Sequence, residues 1–168
     1  VQGGVGGVAA AVLAAAWQRW GAARPRFVVV EPERAACIAA SLRAGERTAV
    51  AGELDTVMAG LACGEVSLLA WQILEAGCDD ALVVDDAAAV DVMRALAAPA
   101  AGDPPLVAGE SATCGLAGIL AAMARPAVRA ALGLDAASRI LVFGTEGDTD
   151  EELYRDLVGR SAEEVLAA

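Results

Sequence analysis

Apolar runs of two lengths alternate along the chain, short Val-rich stretches and longer Ala-rich ones with polar residues spaced through them, which is the pattern of an α/β fold with a parallel sheet. The Ala-rich run 8–20 predicts a helix that stops at Gly21. RFVVVEP, residues 26–32, predicts a short buried strand, and Pro32 then opens a second helix that ends at Gly45. Glycines at 52, 60 and 64 interrupt residues 46–64, which read as a loop with short helical turns. EVSLLAWQILEAG predicts a helix over 65–77, ALVVDD a strand over 81–86, and AAAVDVMRALAAPA a helix over 87–100 with Val90, Met93 and Leu96 on one apolar face. An extended entry, a turn at Gly109 to Ser111 and a helix follow, and Pro126 opens a further helix to Leu132. SRILVF, 138–143, predicts a closing strand, followed by a polar turn and a helix capped near Asp148 or Thr149. No repeat and no long linker divides the chain, so one domain is expected.

VQGGVGG stands immediately before the first helix, with glycines at 3, 4, 6 and 7. A glycine turn feeding a helix leaves backbone N–H groups unpaired at the positive end of the helix dipole, an arrangement suited to an anion such as phosphate. Two further turns, GES at 109–111 and GTEGDTD at 144–150, lie where a parallel sheet places its ligand loops. If the three turns face one crevice, Ser111, Thr145, Glu110, Glu146, Asp148 and Asp150 are its candidate polar contacts. Acidic residues are also favoured at helix N-termini for their own sake, which is the competing reading of Asp148 and Asp150.

Composition narrows the chemistry. The 168 residues are 57% hydrophobic, enough for a core of Val, Leu, Ile and Ala, and only 4% aromatic. A net charge of −11, with all basic residues arginine and scattered, argues against nucleic acid and anionic membrane surfaces as partners. The uncharged first 18 residues are mostly Ala and Gly without a basic flank, so a soluble, cytoplasmic protein is expected rather than a span or signal peptide. Cys37, Cys63, Cys78 and Cys114 show no C-x-x-C spacing and there is no histidine, so they read as small buried hydrophobes and not as a metal site. A Cys37 to Cys63 bridge stays open if their segments meet.

Gly4-x-Gly6-x-x-Ala9 also fits the loose dinucleotide-binding pattern, with Glu31 at the end of the next strand as the ribose-binding acid. A nucleotide-binding Rossmann-like domain and a non-catalytic α/β interaction module therefore remain readings of the same residues.

Taken together and in order, VQGGVGG, VVVEPERAACIAAS, VAGELDTVMAGLACGE, VAGES with GLAG, and LVFGTEGDTDEELYRDLVG resemble the second half of the diaminopropionate ammonia-lyase family. The resemblance spans essentially the whole chain. Val66 follows Gly64-Glu65 where that family tends to have proline, and GESATCG replaces a more glycine-rich turn, placing Ala112 and Thr113 near the expected ring.

The resemblance implies a pyridoxal-phosphate-dependent fold of the tryptophan synthase β-like type, a three-layer parallel-sheet architecture present here as a C-terminal portion. It implies pyridoxal 5'-phosphate as cofactor, its phosphate cradled by backbone N–H groups of Gly3, Gly4, Val5, Gly6 and Gly7. Thr145 would face the pyridine nitrogen, with Glu110 and Ser111 close by. It implies a small amino-acid substrate, 2,3-diaminopropionate, converted by α,β-elimination to pyruvate and ammonia, and a homodimer. A serine or threonine dehydratase is the nearest relative that could share these loops. Such chemistry needs a Schiff-base lysine, and the chain contains no lysine. The lysine is accordingly expected upstream of the glycine loop, no catalytic residue is expected in this chain, and the segment alone is expected to be inactive.

Overall fold

The structure is a computed structural model that describes residues 1–100 and 102–167. Helix α1, Gly7–Trp20, leads into strand β1, Val28–Pro32; α2, Cys37–Ala44, and α3, Leu68–Gly77, precede strand β2, Asp80–Val84. Helices α4, Asp86–Ala97, α5, Glu110–Met123, α6, Pro126–Ala131, α7, Glu151–Val158, and α8, Ala162–Leu166, complete the described chain.

β1 and β2 pair in parallel from Val28 opposite Asp80 to Pro32 opposite Val84. On the other edge of β1 the chain's first residues run alongside, with Gln2 bridged to Val30. Because successive strand residues face opposite sides, Val29 and Val30 enter different cores. Val29 joins Ala9, Leu13, Ile38, Ala70 and Leu74 beneath α1, α2 and α3. Val30 joins Met58, Leu61, Val84, Ala89 and Cys114 beneath α4 and α5. The run of valines with no alternation is what a strand covered on both faces requires, and the result is three layers, helix, sheet and helix. Gly118 makes the close approach possible, since a Cβ there would lie 2.6 Å from Val30 Cγ1. No helix among the described residues is long and apolar enough to cross a membrane.

Three expectations change. The second helix does not begin at Pro32: a 3-10 turn spans Glu33–Ala35, and α2 starts only after Ala36, which lies outside helical geometry at φ −92°, ψ 58°. Residues 138–143 form no strand; Ile140, Leu141 and Val142 are exposed and no described strand lies beside them to take their hydrogen bonds. Finally, α8 follows α7 as a separate short helix, opened by Ser161 and Glu164 in reciprocal capping.

Candidate functional site

The glycine loop is fixed at both ends and open in the middle. Gly3 N–H donates to Val30 O at 2.8 Å, so it is committed to the sheet, which corrects the expectation that it faces an anion. Its role is steric: a Cβ on Gly3 would sit 2.7 Å from Val29 Cγ1 and 2.8 Å from Glu31 Cγ. Downstream, Val5 O accepts from Ser67 N at 2.9 Å and Gly6 O from Ala10 N at 2.8 Å. Between these anchors the N–H groups of Gly4, Val5, Gly6 and Gly7 donate to no acceptor among the described residues. Gly6 has φ +90°, a region open to glycine, and caps the 14-residue α1 without any side-chain oxygen to satisfy the first turn. Free N–H groups at the head of a long helix match the donor chemistry a phosphate requires.

A chain of contacts joins this loop to the other two turns. A Cβ on Gly4 would lie 3.1 Å from Gly60 O, and Gly60 N donates to Ser111 Oγ at 3.1 Å. Ser111 N in turn donates to Glu146 Oε2 at 2.8 Å, and Ala112 N to the same oxygen at 3.3 Å. Gly109 N donates to Glu146 O at 3.2 Å. Glu146 thus closes the N-terminus of α5, and the expected turn at 109–111 is already that helix's first turn. Thr145, one residue earlier, accepts from Gln2 Nε2 at 2.9 Å. These hydrogen bonds bring Ser111, Thr145 and Glu146 together and link them to the glycine loop through Gln2 and Gly60.

Glu110 stands half-buried beside them. Burial raises its pKa first, and the charges of Glu146 and Asp150 push it further in the same direction. Asp150 itself caps α7, accepting from Leu153 N at 3.0 Å, so it serves the helix. Thr113 is committed to packing, its hydroxyl donating to Ala89 O at 3.1 Å and tying α5 to α4. Asp55 pairs with Arg34 at 3.3 Å on the surface.

Glu31 is fully buried and accepts from Ile38 N at 2.9 Å and Ala39 N at 2.7 Å. Burial outweighs these two bonds and raises its pKa from 4.5 to about 7. Its oxygens face the start of α2, so it cannot receive a ribose, and the dinucleotide reading loses the acid it depends on. Cys37 and Cys63 both approach Gly4, yet both thiols are free. Burial is the main cause that pushes the Cys37 thiol up to about 12, which suits a packed hydrophobe rather than a nucleophile. Among the described residues no cluster of acidic, cysteine or histidine side chains could hold a metal ion.

Gln2 is the residue that sequence reasoning missed. The available signal was its position, a long polar side chain directly before the glycines and followed in the fold by a buried edge.

Comparison with known proteins gives the family of the chain. A family profile described as "Pyridoxal-phosphate dependent enzyme" matches residues 1–145. The chain is 38% identical over 162 residues to diaminopropionate ammonia-lyase of Escherichia coli strain K12, covering 94% of this chain and 40% of that protein. It thus spans about two fifths of the length of that curated relative. The crystal structure of the Escherichia coli diaminopropionate ammonia lyase in complex with an aminoacrylate-PLP azomethine reaction intermediate superposes with a TM-score of 0.84 at 35% identity, over 94% of this chain and 40% of the other. The threonine deaminase of T.th. shares the fold at a TM-score of 0.66 and 24% identity, over 74% of this chain and 43% of that one.

Proposed function

The chain belongs to the pyridoxal-phosphate dependent enzyme family, and from that premise we propose that it is the cofactor-holding C-terminal portion of one catalytic domain whose complete form is a diaminopropionate ammonia-lyase. The observation that carries the reading is the row of four N–H groups, Gly4 to Gly7, at the head of α1 with no acceptor among the described residues.

In this reading the phosphate of pyridoxal 5'-phosphate lies against those four N–H groups, where the α1 dipole favours its charge. Gly6 and Gly7 carry no side chain to stand between donor and anion. Thr145 faces the pyridine nitrogen with its hydroxyl, a neutral donor that leaves the nitrogen unprotonated. Ser111 and Glu110, in the first turn of α5, would lie close to the ring. When bound, the cofactor supplies an electron sink for negative charge at the α-carbon of an amino acid. The lysine that anchors the cofactor comes from outside these residues, since the chain contains none, and in this reading the acid and base that handle the α-proton come from the same other portion of the protein.

The substrate is 2,3-diaminopropionate and the products are pyruvate and ammonia, by likeness to the Escherichia coli enzyme. The complete enzyme acts as a homodimer in the cytoplasm. A serine or threonine dehydratase is the alternative substrate class within the same fold. The test is pyruvate or 2-oxobutyrate release by the full-length protein from diaminopropionate, serine and threonine at matched concentrations. Faster pyruvate release from diaminopropionate supports the lyase, and preference for serine or threonine moves the assignment to the dehydratases.

A further inference from the structure

We infer that Gln2 is a positioning residue that aims the Thr145 hydroxyl at the ring nitrogen; the inference rests on the function proposed above. Gln2 is only 5% exposed. Its backbone is held on the edge of β1 by the bridge to Val30, with Val30 N donating to Val1 O at 2.9 Å and Gly3 N to Val30 O at 2.8 Å. Its side chain therefore projects from a rigid base, where a site-forming group belongs. Nε2 donates to Thr145 Oγ1 at 2.9 Å. Oε1 is buried and has no partner among the described residues. Burying an amide with one oxygen unpaired is costly, and an apolar side chain would fill the same space without that cost. What the amide adds is a donor.

A threonine hydroxyl has one proton to give and two lone pairs to receive. With Gln2 occupying a lone pair of Thr145, the hydroxyl proton cannot be used on Gln2 and is left to donate elsewhere. An unprotonated pyridine nitrogen is an acceptor only, so it needs that proton. Thr145 sits on the irregular segment between Val142 and Asp150, where Glu146 is anchored to α5. The Gln2 bond is what fixes the residue before that anchor.

The experiment uses the full-length protein, with cofactor removed and then titrated back. Three quantities are read for each variant: the dissociation constant for pyridoxal phosphate, the pH dependence of the bound cofactor's absorption bands, and the melting temperature of the cofactor-free protein. Gln2→Glu keeps the shape but as a carboxylate accepts the Thr145 proton and turns it from the ring; Gln2→Met keeps the bulk and removes the donor. Both are expected to weaken cofactor binding about tenfold, the equilibrium effect of one lost hydrogen bond, and to shift the absorption profile. In a Thr145→Val background neither is expected to change anything further, because the hydroxyl it acts on is gone. Thr145→Ser should retain the effect of Gln2→Glu. Additive losses in the double variants, or losses that only track the melting temperature, overturn the role of Gln2 while leaving the proposed function standing. Thr145→Val with unchanged affinity and absorption overturns the inference together with the ring contact beneath it.

Discussion

Gly6 and Gly7 stand side by side in the loop and make opposite demands. At Gly6 the backbone lies at φ +90° and a Cβ would come 2.9 Å from Leu74 Cδ1, so Gly6→Ala meets both strain and the core. We expect it to destabilise the protein by about 2 kcal/mol, read as a lowered urea midpoint. At Gly7 a Cβ meets nothing within 4 Å. Helical Cβ atoms tilt toward the N-terminus, so a methyl at Gly7 leans into the space before the free N–H groups. Gly7→Ala should leave the urea midpoint within about 0.5 kcal/mol of the parent and still weaken cofactor binding; unchanged affinity would remove the phosphate from this loop. Glu31 poses a different test. Its folded pKa of about 7 lies above the ordinary 4.5, so between these values the folded state keeps a proton that the unfolded state has released. Stability from this group is complete below pH 4.5 and is lost as pH rises through about 7, by about 3 kcal/mol. Denaturant midpoints measured across that window should fall with rising pH, and Glu31→Gln should flatten the slope. The acid at the end of the valine run was plain in the sequence, yet its task was not, because nothing local shows that the start of α2 folds back onto its oxygens. Gln2 was hidden for the same reason: its partner lies 143 residues away.

The N-terminus of α5 depends on a residue from another segment. Glu146 accepts from Ser111 N and Ala112 N, and a Cβ on Gly109 would collide with Gly147 O, so the loop and the helix lock together. Glu146→Ala should cost about 1–2 kcal/mol, the usual effect of a lost cap, and speed hydrogen exchange at Ser111 and Ala112. Protection that stays unchanged would mean the helix caps itself. At this scale the sequence was readable where one pattern serves one purpose. α1 starts one residue before the run that announces it, β1 and β2 lie within two residues of theirs, and Gly45 ends α2 in the left-handed conformation glycine allows. SRILVF was misleading because apolar character reports burial, whereas a strand exists only when a neighbour takes its hydrogen bonds. The short α8 was legible in principle from Ser161 and Glu164, the reciprocal spacing of a capping box.

For the molecule as a whole, the same segment 138–143 lines a cavity of about 560 Å³ that also takes in Val12, Phe27, Val28 and Ile119. Leu141 is 75% exposed and Trp20 48%, which is much apolar surface for one domain to leave to water. The chain covers about two fifths of its curated relative, and in the proposed reading the remainder of the longer protein covers that surface. Chemistry makes the same point independently. A Schiff base to pyridoxal phosphate needs a lysine, and this chain has none. Borohydride reduction of the cofactor-loaded full-length protein, followed by peptide mapping, is therefore expected to place the label on a single lysine outside these 168 residues and to leave every peptide of this chain unmodified. The same treatment of the 168-residue chain alone should fix no cofactor to any of its side chains. The full-length protein should nevertheless lose label when Gly7 is replaced by alanine, because the lysine makes the bond but the glycine loop holds the phosphate that presents it. Labelling that is indifferent to the loop would separate the two halves of the proposal, leaving a family member whose cofactor is held elsewhere.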